Sequence, residues 1–145
     1  MAERPDLAAM MLPLARTLTS AEVPVLEAHG LTMWSYVVLL HLEDEPVRTQ
    51  AAFAELIGAD KTRIIDYLDD LQDRGLIARE PDPTDRRARL LRLTPKGRRL
   101  RTATQRAIQR NEARLLDLLP AAERDRFLRT LQRLAEAAPD VYESR

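Results

Sequence analysis

The periodicity of the chain changes just after Gly75, and this change constrains the fold more than any other feature. Up to that point, apolar residues recur at the spacing of amphipathic helices. Beyond it, the segments 76–80 and 88–93 have the length and pattern of strands and flank a turn sequence at 81–85. The sequence therefore predicts helices followed by a β-hairpin.

Two short helices joined by a glycine-containing turn are predicted immediately before the hairpin. Thr49 and Asp60 stand where their side chains can cap these helices, and Gly58-Ala59 forms the turn between them. The residues predicted to face the core are Ala52, Phe53, Leu56, Ile64, Leu68 and Leu71. Two helices joined in this way form a helix-turn-helix. With the hairpin as its wing, the segment 47–97 is predicted to bind duplex DNA.

Further helices are predicted on both sides of this motif. Residues 5–28 form one bent helix or two short ones, because two prolines interrupt the pattern. A second helix, capped by Thr32, ends at Leu42, and a loop follows at 43–47.

After the hairpin, Thr94-Pro95 is a strong helix start, with threonine at the N-cap and proline at the first helical position. This helix is expected to run to about Leu119, and the last helix begins at Pro120. The apolar stripe of the last helix consists of Phe127, Leu128, Leu131 and Leu134.

The predicted fold class is mainly α with a small β-hairpin wing, a winged helix-turn-helix flanked by helical arms. We expect an N-terminal dimerisation region at 1–30, the DNA-binding domain at 31–97 and C-terminal dimerisation helices at 98–145. The arms carry apolar faces that a small winged-helix core cannot cover alone. Pairing of two copies across a two-fold axis would bury these faces, and folding back onto the same protomer is the alternative.

Composition excludes several classes of function. The chain has 145 residues and no cysteine, so thiolate metal sites, disulfides and cysteine catalysis are excluded. No glycine-rich phosphate loop, nucleophile elbow or metal-ligand spacing is present, which predicts a protein that is not an enzyme and has no cofactor or metal. No apolar run has the length of a membrane span, so we expect no membrane partner and a cytoplasmic location.

Charge is segregated along the chain although the net charge is zero. The stretch 86–110 contains many basic residues and no acidic one, while 43–85 is acidic on balance. This distribution makes one face electropositive in a neutral molecule, and it favours a nucleic-acid partner. The basic residues are Arg86, Arg87, Arg89, Arg92, Lys96, Arg98, Arg99, Arg101, Arg106 and Arg110.

The stretch 85–97, Asp-Arg-Arg-Ala-Arg-Leu-Leu-Arg-Leu-Thr-Pro-Lys-Gly, resembles the wing signature of the MarR family of bacterial transcriptional regulators. Leu-Gln-Asp-Arg-Gly-Leu-Ile at 71–77, with Arg-Glu-Pro-Asp-Pro at 79–83, fits the same pattern in register. Gly-Leu-Thr at 30–32 and Thr-Gln-Ala-Ala at 49–52 also match. The resemblance extends from about Met11 to Leu134.

This resemblance implies a triangular homodimer built from the terminal helices. It also implies that the second helix of the motif reads the major groove and that the wing enters the minor groove. In many members, a small aromatic or anionic molecule releases the DNA. A transcriptional regulator that acts as a repressor on a pseudo-palindromic operator is therefore expected. The alternative is a winged helix that serves as an effector-independent architectural or protein-interaction module.

Three wing arginines, Arg86, Arg87 and Arg89, are predicted to contact DNA. A narrow minor groove concentrates negative potential, and arginine is the side chain that enters it. Asp85 is predicted to hold Arg87 by a charge-assisted hydrogen bond, a role that the family's Asp-x-Arg pattern supports. A turn cap is the other role open to Asp85.

The recognition helix supplies Lys61, Thr62, Arg63, Ile65 and Asp66 as candidate DNA contacts, because residues near its N-terminal end reach base edges. Small hydroxyl residues and a basic residue are usual in the family where Ile65 and Asp66 stand here. Arg63 is the expected neutraliser of Asp66, which would otherwise repel phosphate unless cytosine donates to it. Asp69, Asp70 and Asp73 are expected to pair with Arg74 or with the basic helix.

A candidate effector pocket contains Trp34, Val38 and His41 from one helix face, His29 at its entry and Arg16 as counter-charge. An aromatic ring beside a histidine could hold a phenolic or carboxylate ligand. The alternative is that Trp34 is ordinary core and that His41 is a helix-end histidine favoured by the helix dipole.

Overall fold

The structure is a computed structural model that describes residues 3–42 and 48–143; the predicted loop at 43–47 lies outside the described residues. Within these ranges the chain is mainly helical with a β-hairpin, which confirms the predicted fold class. The elements are α1 (Leu7–Ala28), α2 (Met33–His41), β1 (Arg48–Thr49), α3 (Gln50–Leu56), α4 (Lys61–Asp73), β2 (Ile77–Pro81), β3 (Arg89–Leu93), α5 (Pro95–Leu116) and α6 (Ala121–Glu143).

The helix starts follow the predicted capping residues. The side chains of Thr32, Thr49 and Asp60 accept hydrogen bonds from main-chain N–H groups at the starts of α2, α3 and α4. The Thr94 hydroxyl accepts from the Gly97 N–H at 3.0 Å, and α5 begins at Pro95 as predicted. Helix α1 continues through both of its prolines. Of the two predicted alternatives, the chain therefore forms one helix and not two short ones.

The sheet has the order β1-β3-β2 and is antiparallel throughout. The hairpin pairs Ile77 with Leu93 at its base and Pro81 with Arg89 at its tip. The two-residue strand β1, which lies against Leu90 and Leu91, was not predicted, because two residues show no periodicity. Its pairing ties the start of α3 to the wing strand β3.

The core of the described chain packs α2, α3 and α4 against the hairpin and the end of α1. Its fully buried members include Leu26, Leu39, Phe53, Ile64, Leu68, Leu71, Leu76, Leu91 and Leu93. The prediction for α4 is confirmed, but the prediction for α3 is wrong in part, since Ala52 and Leu56 are exposed. The inner face of α3 runs instead through Phe53, Ala54 and the following Ile57, at helical i, i+1 and i+4 spacing.

The start of α5 lies unusually close to Leu76, which stands between the end of α4 and the start of β2. A Cβ atom at Gly97 would stand 2.0 Å from the Leu76 carbonyl oxygen, so only glycine fits there. The same carbonyl accepts from the Thr94 N–H at 3.1 Å. This contact fixes the base of the wing to the end of α4.

The chain divides into two compact units, 1–108 and 109–145. Among the described residues, no single helix has both the length and the apolar character of a membrane span. Helices α1 and α2 reach that length and character only when joined, and they are bent by 87° at their break.

Candidate nucleic-acid interface

The wing is a turn held by its own aspartates. The Asp82 carboxylate accepts from the Thr84 N–H at 2.9 Å and from the Thr84 hydroxyl at 2.7 Å. These hydrogen bonds lower the pKa of Asp82 below its ordinary value, and the one from the main chain has the largest effect. The turn is closed by the Ala88 N–H, which donates to the Asp85 carbonyl at 3.1 Å.

Asp85 contacts Arg87 through the main chain. Its Oδ1 accepts from the Arg87 N–H at 2.9 Å. In the described chain this carboxylate forms no ion pair with the Arg87 guanidinium, so it holds Arg87 by a charge-assisted hydrogen bond to the main chain, which is also the turn-capping contact. The guanidinium therefore stays available to other partners.

The three wing arginines, Arg86, Arg87 and Arg89, are all exposed. Among the ion pairs of the described residues, none contains one of these arginines. Farther down the hairpin the situation differs, because Arg92 is paired with Glu80 on the neighbouring strand. Unpaired positive charge is thus concentrated at the tip of the wing and at the start of β3.

The N-terminal half of α4 projects its predicted contact residues outward. Thr62, Arg63, Ile65 and Asp66 are exposed, whereas the side chain of Lys61 lies outside the described residues. The Thr62 N–H donates to the Asp60 carboxylate at 2.8 Å. This hydrogen bond is the main reason why the pKa of Asp60 is lowered.

Two of the acidic residues farther along α4 pair with arginines, whereas the pairing predicted for Asp73 is not observed among the described residues. Asp70 pairs with Arg74 at 3.5 Å, which confirms one of the predicted partners. Asp69 pairs with Arg79 on β2, a partner that was not predicted because the two are brought together only by the fold. Arg63 forms no ion pair with Asp66 within the described residues, so the predicted neutralisation is not observed.

A groove of about 510 Å³ separates α4 from the wing. The N-terminal end of α3 closes it from the side. Ile64 and Ile65 give it an apolar wall on α4, and the wing supplies its charged side chains. Sequence reasoning assigned no role here to Thr49 or Gln50, because Thr49 was considered only as a helix cap. The remaining lining residues are Thr49, Gln50, Ala51, Ala54, Asp85, Arg87, Ala88 and Arg89.

A second cavity of about 250 Å³ lies between α2 and the turn that leads into α4. Trp34 and Val38 line it, as does the turn residue Gly58, whose φ of +68° suits glycine. Trp34 is 38% exposed and so is not ordinary core. The other lining residues are Ala59, Asp60, Arg63, Ile64 and Tyr67.

The structure does not place Arg16, His29 or His41 in this cavity, which corrects the predicted pocket. Both histidines lie at helix ends and hydrogen-bond through Nδ1 to the carbonyl four residues earlier: His29 to Val25 at 2.8 Å and His41 to Val37 at 2.9 Å. Arg16 is exposed on α1. The alternative given for His41, a helix-end histidine, describes its position.

Helices α1 and α6 each expose an apolar face. In α1 this face is formed near the N-terminal end, where Leu7 is 58% exposed. In α6 the predicted stripe includes Leu134, which is 59% exposed, and no residue of this helix is buried. The other large exposed apolar residues of the two helices are Met10, Met11, Leu12, Leu14, Val23, Phe127, Leu128, Val141 and Tyr142.

A helix-turn-helix, a three-stranded sheet with a basic wing and a groove between wing and second helix define a winged-helix DNA-binding protein. The family model described as MarR family matches residues 29–88. A Thauera aromatica protein assigned to transcriptional regulation of the hcr operon is 32% identical over 120 residues, 83% of this chain and 68% of that protein. The chain belongs to the MarR family and is a transcriptional regulator of that family.

A second curated relative, the transcriptional regulator HosA of Escherichia coli O111:H-, is 28% identical over 111 residues, 77% of this chain and 82% of that protein. Among solved structures, a crystal structure of MarR matches with a TM-score of 0.83 and 27% identity, covering 100% of this chain and 99% of the other.

The transcriptional repressor CouR, solved bound to a 23-mer DNA duplex, matches with a TM-score of 0.73 and 29% identity over 92% of this chain and 99% of that one. CouR from Rhodococcus jostii RHA1 bound to p-coumaroyl-CoA matches with a TM-score of 0.69 and 27% identity, covering 90% of this chain and 91% of the other. CouR has thus been solved with DNA and with a small molecule, the two kinds of ligand that the resemblance implies for this chain.

Proposed function

We propose that the protein is a homodimeric, sequence-specific transcriptional repressor that releases DNA when a small aromatic or anionic molecule binds. The observation that carries the DNA-binding part is the groove between α4 and the wing, which is bordered by Arg87 and Arg89. When a recognition helix lies in a major groove and its wing in the adjacent minor groove, the sugar-phosphate strand between the two grooves passes between helix and wing. The groove has that position.

The lining of the groove suits a phosphate backbone. Arg87 and Arg89 supply positive charge and form no ion pair within the described residues, although Asp85 also lines the groove, and Gln50 supplies a polar side chain at the start of α3. We therefore add Thr49 and Gln50 to the predicted backbone contacts, which position the protein without reading sequence. Arg86 at the wing tip is assigned to the minor groove, and Thr62, Arg63, Ile65 and Asp66 to base edges.

Dimerisation is supported by the uncovered apolar faces of α1 and α6. Monomeric proteins rarely expose contiguous apolar patches of this kind, and two-fold pairing is the commonest way to bury them. Two copies would present two recognition helices to successive major grooves, which predicts a pseudo-palindromic operator with half-sites about 10 bp apart. Chromosomal DNA places such a regulator in the cytoplasm.

Sedimentation velocity tests the dimer. The wild-type protein should sediment as a dimer, and Leu128→Glu combined with Leu134→Glu should produce a folded monomer, because buried unpaired charge opposes association. The matched control is Arg129→Glu with Arg133→Glu, which changes the face of α6 opposite the apolar stripe. A wild-type monomer at micromolar concentration would contradict the proposed assembly.

Effector binding is proposed at the cavity between α2 and α4. Its volume suits a single aromatic ring, Trp34 and Tyr67 offer aromatic contacts, and Arg63 offers a positive charge for an anion. Because Arg63 is also a predicted DNA contact, an anion that engages it would compete with DNA. A CouR structure bound to p-coumaroyl-CoA supports an aromatic ligand for this fold.

The fluorescence of Trp34, the single tryptophan of the chain, reports on this cavity. Titration with p-coumarate or salicylate should give saturable quenching, which Arg63→Met should weaken while Arg129→Met leaves it unchanged. Absence of saturable quenching by either acid would contradict the proposed site.

The DNA-binding function is tested by the salt dependence of binding to a duplex selected from a random library. A DNA-binding protein with several phosphate contacts should lose affinity steeply as salt rises. The logarithm of its binding constant should fall against the logarithm of the salt concentration with a slope of about −0.9 for each contact. Weak, sequence-independent binding at all salt concentrations would favour the alternative, an effector-independent architectural or protein-interaction module. The acidic residues of α4 are the feature of this chain that favours the alternative.

A further inference from the structure

A side chain at the end of the recognition helix forms a hydrogen bond to the main chain at the end of α1. Arg74, which follows the last residue of α4, donates from Nη1 to the carbonyl of Gly30 at 2.9 Å, across 44 positions of sequence. Gly30 adopts a φ of +70° at the end of α1. A Cβ atom there would stand 3.1 Å from Arg74 Nη2, so the guanidinium lies directly against the glycine.

Arg74 is itself held from two further sides. Its guanidinium pairs with Asp70 one turn earlier in α4, at 3.5 Å. Its carbonyl accepts from the Lys96 ammonium at 2.8 Å, which connects it to the first turn of α5. Next to it, the Gly75 carbonyl accepts from the Thr94 hydroxyl at 2.7 Å. The end of α4 is therefore fixed to α5 by several bonds, and to the end of α1 by the Arg74 guanidinium.

Helix α1 differs at its two ends. Its C-terminal end belongs to the core through Leu26, and Leu31 is buried just beyond it. Its N-terminal end exposes the apolar face that we assign to the second copy. A change in how α1 sits against that copy therefore reaches Gly30, where Arg74 is bonded.

We propose that Arg74 is a positioning residue that couples α1 to the recognition helix, so that the geometry of the dimer sets the spacing of the two α4 helices. This inference rests on the proposed homodimer. Arg74 is half-buried at the far end of α4 from the base-reading residues, so its effect on DNA is exerted through α4 and not by direct contact. Binding of one half-site should not depend on it, whereas simultaneous binding of two half-sites should.

The experiment uses the full chain and a duplex selected by the wild-type protein from a random library, together with the same duplex truncated to one half-site. Arg74→Met should remain a folded dimer and bind the half-site within about twofold of wild type. On the full duplex its affinity should fall at least about tenfold, because the gain from a second linked contact requires matching geometry. Arg74→Lys, which can still donate to Gly30, should recover part of that affinity.

Asp70→Asn is the matched control, since it removes the ion pair at the same helix end but keeps the Arg74–Gly30 hydrogen bond. It should keep the wild-type ratio of full-duplex to half-site affinity, because any gain from the removed negative charge does not depend on matching the spacing of two half-sites. Equal reductions for Arg74→Met on the half-site and the full duplex, or the same full-duplex reduction in Asp70→Asn, would overturn the proposal. A wild-type protein that is monomeric or does not prefer the full duplex would instead refute the proposed function, so the two failures are distinguishable.

Distance measurements on the free protein give a second readout. The chain has no cysteine, so Thr62→Cys introduces one spin-label site on each recognition helix. The distance between the two labels in the dimer should be narrowly distributed, and Arg74→Met should broaden or shift it while Asp70→Asn should not. An unchanged distribution in Arg74→Met would overturn the coupling role.

Discussion

The wing and the recognition helix carry charge in opposite ways. At the wing, aspartates bond to main-chain N–H groups and leave Arg86 and Arg87 without carboxylate partners in the described chain. On α4, Asp69 and Asp70 are paired with arginines. Free positive charge favours any duplex, whereas a surface that carries both acidic and basic residues contributes through shape and a few specific groups. We therefore propose that the wing contributes mainly affinity and that α4 contributes mainly discrimination between sequences.

The largest expected effect comes from removing the wing charge. Arg86→Ala with Arg87→Ala should weaken binding to every sequence by about 100-fold for each half-site that the protein occupies, taking about 1.5 kcal/mol for each arginine that no longer binds DNA. The slope of affinity against salt should also become shallower. Filter binding on a selected and an unrelated duplex measures both quantities.

A matched control for the wing variant is Arg129→Ala with Arg133→Ala, which removes the same charge from α6. This control should bind DNA as the wild type does. If the wing variant bound only the selected duplex more weakly, the wing would be reading sequence and the division between the two regions would fail.

The second effect concerns Asp66, the exposed acid in the half of α4 that we propose to contact base edges. Asp66→Ala should relax the preference at one base position by about tenfold, in the range of a single base-specific contact, without abolishing binding. Binding-site selection with each variant measures this. Asp73→Ala, at the other end of α4, removes the same charge and should leave the preference unchanged. Equal relaxation in both variants would show that only net charge matters.

Much of the structure of the wing and of α4 could be predicted from the sequence, because it depends on hydrogen bonds between residues that are close together in the chain. Thr49, Asp60 and Thr94 cap helices through residues two or three positions away, and Gly75 ends α4 with a φ of +72°. Such bonds depend on short sequence patterns, which a single chain displays. The wing turn was located for the same reason.

What could not be predicted depends on residues far apart in sequence. Asp69 finds Arg79 only because β2 packs against α4, and Arg74 finds Gly30 across the fold. The rotation of α3 that buries Ala54 instead of Leu56 is set by packing, since seven residues give too few turns to fix a face. The predicted pocket shares only Trp34 and Val38 with the observed cavity for a related reason, because helical spacing grouped His41 with Trp34 but could not show which element lay opposite.

The ion pair between Asp69 and Arg79 gives a smaller effect that connects the two regions. Asp69→Asn should cost at most about 1 kcal/mol of stability, because the carboxylate is half exposed. It should also raise affinity for all duplexes a few-fold, since Arg79 is released and one negative charge is removed. Thermal unfolding and filter binding measure the two changes. Reduced affinity would show that the Asp69–Arg79 ion pair positions the wing. The wing and α4 would then contribute to DNA binding together and not as separate regions.

The smallest effect should appear in acid, where both regions use the same device. Hydrogen bonds from threonine N–H groups lower the pKa of Asp60 at the start of α4 and of Asp82 in the wing turn. Because each folded-state pKa lies below its unfolded value, the stabilisation is present above the ordinary aspartate range near pH 4 and is lost as pH falls through the lowered values.

Asp60→Asn and Asp82→Asn should each flatten the fall in stability below about pH 4 while leaving folding at neutral pH nearly intact, because asparagine caps the same N–H groups. Chemical denaturation at several pH values measures this. An acid transition that neither variant alters would show that these carboxylates do not hold the wing turn and the start of the recognition helix.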